Sequence, residues 1–97
     1  MIPGDTVFRT RGDVRYRMVA PEAVVVRQSG PEVLVLNAVG ARILEGVAAG
    51  QPVATLVAGL AEEYEVAPAT LEGDVAHFLE ELTASGVIEK APVTDGK

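Results

Sequence analysis

Ninety-seven residues suffice for one domain, expected to span 1–97 with an ordered core over about 8–90; with Phe8, Tyr16, Tyr64 and Phe78 as the only aromatics, Val, Leu, Ile and Ala must carry the packing. The lack of cysteine excludes disulfides and thiolate chemistry, and a single histidine, His77, cannot build an ordinary zinc site, so neither metal nor cofactor is expected. No apolar run reaches the roughly 18–20 residues that span a bilayer and the N-terminus has no signal-peptide pattern, so the expected location is cytoplasmic, with no membrane partner.

The net charge of −6 is unevenly placed. Arg9, Arg11, Arg15, Arg17, Arg27 and Arg42 lie in the first half, whereas residues 43–89 carry only acidic charges. In chain order, Val14-Arg15-Tyr16-Arg17-Met18 alternates apolar and charged side chains, which predicts a half-buried strand ended by Pro21 and Glu22. The β-branched run 23–27 predicts a second strand. Gln28-Ser29-Gly30-Pro31 is a turn, and residues 32–36 are a third strand. Such short connections favour an antiparallel meander.

Beyond residue 36 the apolar period becomes helical. Asn37 suits the N-cap of a helix running to about residue 49, in which Val39, Ile43 and Val47 lie four apart with Leu44 beside them, and Gly50 falls just past its end. A second helix starts near Pro52 and places Val53, Leu56, Val57, Leu60 and Tyr64 on one face. After the connector 65–67, Pro68 opens a third helix with the stripe Leu71, Val75, Phe78, Leu79 and Leu82, and Gly86 ends it. Val87 and Ile88 are expected to fold back on the core, with the first eight or so residues and 91–97 unconstrained. The expected fold class is α+β: a three-stranded antiparallel sheet followed by three helices, winged-helix-like, with the last two helices in helix-turn-helix proportions.

Catalytic chemistry finds little support. Asp74, His77 and Glu81 share one face of the third helix, an arrangement that a solvated helix surface explains more simply than an acid–base cluster. No serine lies in a nucleophile-elbow context and no glycine-rich phosphate loop is present. No catalytic residue is therefore assigned, and the chain is not expected to be an enzyme. The helix-turn-helix proportions raise a winged-helix DNA-binding regulator as the alternative. Glu72, Asp74, Glu80 and Glu81 on the third helix, with no Lys or Arg, would repel phosphates, so no nucleic-acid partner is expected.

The third strand is the better lead. In a simple meander it is an edge strand, and neither Lys nor Pro blocks it between Val33 and Leu36. Such an edge is either covered, by a helix or a partner subunit, or used by an extended peptide that adds as a further strand.

These residues resemble the PqqD family. The resemblance rests on Leu34-Val35-Leu36-Asn37-Ala38-Val39-Gly40-Ala41-Arg42-Ile43-Leu44, similar to the family's junction of third strand and first helix. The spacing to residues 53–64 adds to it, as does Asp74-Val75 followed by Phe78-Leu79-Glu80-Glu81-Leu82 and Gly86-Val87-Ile88. It covers roughly residues 14–89. It implies a winged-helix-like, non-catalytic domain, a recognition element for ribosomally made, post-translationally modified peptides. Such a domain binds the leader of a precursor peptide beside the third strand and against the third helix. Carried over by position, the peptide-binding residues are Val33, Leu34, Val35, Leu36, Leu71, Asp74, Val75, Phe78 and Glu81, and the residues expected to be exposed, Asp74, His77 and Glu81, are the expected polar selectors. The segment 27–32 lacks the aromatic-rich stretch of quinone-cofactor pathway members. The implied partners are a precursor peptide and a modifying enzyme in trans, such as a radical SAM enzyme or a lasso-peptide leader protease. The chain itself is expected to be a monomer or a homodimer.

Overall fold

The computed structural model describes residues 2–28 and 33–91. The elements run β1 (Phe8–Thr10), β2 (Val14–Val19), β3 (Glu22–Arg27), β4 (Val33–Leu36), α1 (Ala38–Ala48), α2 (Val53–Tyr64), α3 (Pro68–Ala84) and β5 (Ile88–Lys90). The three strands expected from the sequence are β2, β3 and β4, and they form an antiparallel sheet in that order, followed by the three helices. Most of the turn expected at 28–31, the start of the third strand at Glu32, and the tail beyond Ala91 lie outside the described residues.

The period-two pattern assigns the faces of the sheet. Val14, Ala23, Val25 and Leu36 are buried, with Tyr16, Met18 and Leu34 packed partly against the same core. Arg15, Arg17, Val19, Val24, Val26, Val33 and Val35 occupy the opposite face. Above the inner face α1 packs on β1, β3 and β4, α2 packs on α3, and α3 packs on β5. Ile43, Leu44, Val47, Val75 and Leu79 meet there, each essentially out of solvent.

Helix ends follow the chemistry of their caps. The Asn37 Oδ1 accepts a hydrogen bond from the Gly40 N–H at 2.9 Å, which satisfies a donor the helix itself leaves open. At the other end of α1, Gly50 (φ 81°) and Gln51 donate to Val47 O and Gly46 O, both at 3.0 Å. Gly86 (φ 78°) and Val87 repeat this pairing after α3, donating to Thr83 O and Leu82 O. Both are Schellman closures, which need a left-handed residue and so favour glycine. The closure after α3 turns the chain so that Val87 and Ile88 enter the core, as expected.

Three expectations are corrected. Val39 and Tyr64, grouped by spacing with the apolar faces of α1 and α2, are each 40% exposed. The helix α1 docks through Gly40 and Ala41, and those small residues draw the face containing Ile43, Leu44 and Val47 inward and leave Val39 outside. Tyr64 is the last residue of α2, just before Glu65 takes a left-handed conformation (φ 55°) that turns the chain. The start of α2 falls where it is expected, with Pro52 as its N-cap. The start of the chain is not free: Val53 N–H donates to Thr6 O at 2.9 Å, Ala54 N–H donates to Gly4 O at 2.8 Å, and Phe8 is buried.

The pairing of β1 with β5 was not anticipated. It aligns Phe8 with Lys90, Arg9 with Glu89 and Thr10 with Ile88, and Arg9 Nε meets Glu89 Oε2 at 2.8 Å across the ladder. Each strand is three residues long, too short for a periodic signal, and the partners lie 80 positions apart.

Gly46 makes the contact between α1 and the start of α2 possible. A methyl group there would collide with the Leu56 side chain and stand 2.8 Å from Gln51 Oε1. Gly46→Ala is expected to lower stability by about 1–3 kcal/mol despite alanine's better helix propensity. Urea denaturation checks this; an unchanged midpoint would show that α2 shifts freely.

Candidate functional site

A groove runs between β4 and α3. Leu34 and Leu36 from the strand, and Phe78, Glu81, Leu82, Ala84 and Ser85 from the helix, enclose about 350 Å³. The strand supplies Leu34 and Leu36 because alternate residues share a face. The helix supplies Phe78, Glu81, Leu82 and Ser85 because steps of three and four return to one side. The groove floor is apolar, with Glu81 as its one carboxylate.

Phe78, in the groove lining, is half-buried. Its ring lies over Gly40: a methyl group on Gly40 would stand 2.7 Å from Phe78 Cζ and 3.3 Å from Leu36 Cβ. The glycine at the start of α1 thus sets how deeply the ring sits between helix and strand. Arg27 from β3 lies across Gly86, where a methyl group would stand 3.3 Å from the guanidinium. That places a cation near the end of α3, beyond Ser85.

Beside the groove runs the free edge of β4, which has no strand partner on its outer side among the described residues. The outer edge of β2 is unpaired in the same sense. The two edges differ in what flanks them. β2 carries Arg15 and Arg17, charges that discourage a further strand. β4 carries no charge within Val33–Leu36 and has the apolar groove at its side.

The residues singled out in the sequence separate into groups. Leu34, Leu36, Phe78 and Glu81 come together in the groove. Val33 and Val35 lie on the same strand, but their side chains are 59% and 64% exposed on the opposite face, so only their backbone belongs to the edge. Val75, 1% exposed, is a core residue with no surface to offer. Leu71 is half-buried against the core and does not line the groove. Asp74 and His77 are exposed on α3 outside it. His77 Nε2 lies 3.3 Å from Glu81 Oε2, an open i,i+4 pair of the kind that contributes little to stability.

Sequence reasoning missed Leu82, Ala84 and Ser85 as groove residues. The helical step from Phe78 to Leu82 and Ser85 would have found two of them.

A larger hollow of about 480 Å³ lies between α1 and α2, lined by Arg42, Glu45, Gly46, Thr55 and Glu62 among others. Arg42 Nε donates to Glu63 Oε1 at 3.0 Å, and its Nη1 lies 3.5 Å from Glu45 Oε1. The hydrogen bond to Glu63 is the chief cause that raises the Arg42 pKa above its ordinary value. That hollow has no free strand edge. Among the described residues no three His, Cys, Asp or Glu side chains could hold a metal, and no helix is long and apolar enough to cross a membrane.

Comparison with known proteins adds two findings. The family model described as "Coenzyme PQQ synthesis protein D (PqqD)" matches residues 22–88. The solved structure of TbiB1 in complex with the TbiA(beta) leader peptide is similar, with a TM-score of 0.81 and 25% sequence identity, over 88% of this chain and 99% of that one. No curated protein matches.

Proposed function

This chain belongs to the PqqD family, and from that premise we propose that it is a non-catalytic adaptor that binds the leader of a ribosomal precursor peptide and presents it to a modifying enzyme. One observation carries the reading: the edge of β4, which no strand among the described residues covers, runs directly beside an apolar groove closed by α3. The likeness to a protein in complex with a leader peptide supports it.

The mechanism follows from strand geometry. An extended leader segment pairs its backbone with β4, whose four residues span about 13 Å. Main-chain hydrogen bonds supply pairing that tolerates many sequences, while pockets for alternate side chains supply selection. Leader residues opposite Leu34 and Leu36 project onto their face of the sheet, over Phe78 and Leu82. The leader therefore needs apolar side chains at positions i and i+2. A leader disordered in solution loses entropy on docking, which limits affinity and allows the modified product to leave. Holding leader and enzyme together raises the effective concentration of the reactive segment.

The chain's one imidazole, His77, sits on open helix surface outside the groove and so does not contact a leader held there. The DNA-binding alternative gains nothing from the fold, since Glu72, Asp74, Glu80 and Glu81 are all exposed on α3.

The test is a calorimetric titration with the synthetic leader of the short precursor encoded nearest to this chain. One-to-one binding with a negative heat-capacity change is expected. Single backbone N-methylation along the same peptide should abolish binding at every second position, because alternate N–H groups of an added strand point at β4. Binding that tolerates methylation everywhere would rule out strand addition, and no binding by the folded protein would remove the adaptor reading.

A further inference from the structure

We propose that the outward face of the β2-β3-β4 sheet docks the modifying enzyme, through an enzyme surface with an apolar centre and a carboxylate rim. The inference rests on the adaptor reading above and adds where the second partner binds.

The face is unusually apolar for a solvated sheet surface. Val19, Val26, Val33 and Val35 are 52%, 39%, 59% and 64% exposed, and Val24 lies between them. The register places them in rows: Arg15 beside Val26 and Val33, and Arg17 beside Val24 and Val35. A shallow hollow of about 680 Å³ covers the β2-β3 half, lined by Arg15, Arg17, Val24 and Val26 among others. A contiguous apolar patch rimmed by charge marks an interaction surface.

Charge identifies the partner's chemistry. Arg9 and Arg11 pair with Glu89 at 2.8 and 3.5 Å, and Arg42 pairs with Glu63 and Glu45. Arg15 is different: its Nη1 donates only to the main-chain carbonyls of Gly12 and Val14, at 3.3 and 3.1 Å. Neither Arg15 nor Arg17 has an ion pair among the described residues. In a chain of net charge −6, these two cations without carboxylates stand together beside the valine patch, whereas Lys90, which also has no ion pair among the described residues, lies on β5 away from it. Complementarity calls for carboxylates opposite them. Two copies stacked on this face would bring four arginines against two copies of Glu22, the one carboxylate on it among the described residues, so a second copy is a poor fit. An anionic membrane gains only about 1 kcal/mol per cation and is repelled by the rest of the chain.

The position suits presentation. A leader paired with β4 extends the sheet, and its side chains opposite Val33 and Val35 continue this face. The enzyme would then rest on adaptor and leader together, while the groove side chains hold the leader from behind.

The test uses full-length chain loaded with leader and the purified modifying enzyme encoded beside the precursor. Arg15→Glu/Arg17→Glu is expected to bind leader within about twofold of the parent and to bind enzyme at least about tenfold more weakly, with the salt dependence reduced. Arg15→Lys/Arg17→Lys should retain most enzyme binding. Unchanged enzyme binding by the Glu variant overturns the inference while leaving the adaptor reading intact. So does a parent dimer that the Glu substitutions dissociate, read by sedimentation, because the face then joins two copies. Parent chain that sediments with vesicles of three parts phosphatidylcholine to one part phosphatidylglycerol, where the Glu variant does not, also overturns it. Failure of the parent to bind leader is a separate result, which removes the adaptor reading on which this inference stands.

Discussion

Phe78→Ala is expected to weaken leader binding about thirtyfold or more while leaving the domain folded. The ring is half-buried, lies over Gly40 and beside Leu36, and forms one wall of the groove along β4. Aromatic side chains in such pockets are frequent binding hot spots, where truncation costs about 2 kcal/mol or more, and about 1.4 kcal/mol is a factor of ten. Folding suffers less than the roughly 3–5 kcal/mol typical of a fully buried Phe→Ala, because part of the ring already faces solvent. Phe78→Leu should recover much of the binding by refilling the groove. The measurement is a leader titration paired with a urea curve for each variant. An unchanged Kd for the alanine variant would place the leader elsewhere.

Leu79→Ala, one residue along α3, should do the reverse. Leu79 is 0% exposed and packs in the centre of the core. Removing its branched end leaves a cavity and costs about 3 kcal/mol or more. A domain of 97 residues has roughly 5–15 kcal/mol of stability in all, so the loss is a large share of it. The urea midpoint should fall sharply, while the fraction that remains folded binds leader with its original affinity. Adjacent substitutions with opposite consequences would separate the groove from the core experimentally. If Leu79→Ala lowered the affinity of the folded fraction as strongly as Phe78→Ala, core and groove would be coupled and the division drawn here would be wrong.

Much of the architecture was legible because it depends on near neighbours. Alternation in Val14-Arg15-Tyr16-Arg17-Met18 encodes a strand with one dry face, and that face is now seen against the core. Asn37 before α1, Gly50 after it and Gly86 after α3 mark boundaries through local hydrogen bonding, and each acts as its chemistry predicts. The acidic character of α3, and the edge position of the strand before α1, were likewise visible in the residues themselves.

The site was legible only in part. Leu34, Leu36, Phe78 and Glu81 do meet in one groove, but the same reading grouped them with Val75, which the core encloses, and with Asp74 and His77, which stand outside it. Helical spacing says which residues share a side of α3. It does not say how far that side is turned toward β4, and a rotation of one residue exchanges groove for core.

Sequence alone determined the kind of each long element, its ends, and the distribution of charge, because these follow from interactions within a few residues. Tertiary structure alone decided three things. It paired β1 with β5 across nearly the whole chain, it turned Val33 and Val35 away from the groove that their strand borders, and it left Arg15 and Arg17 without carboxylates while Arg9, Arg11 and Arg42 found them. Each depends on contacts between residues far apart in the chain, and periodicity carries no information about those until packing has chosen which faces meet.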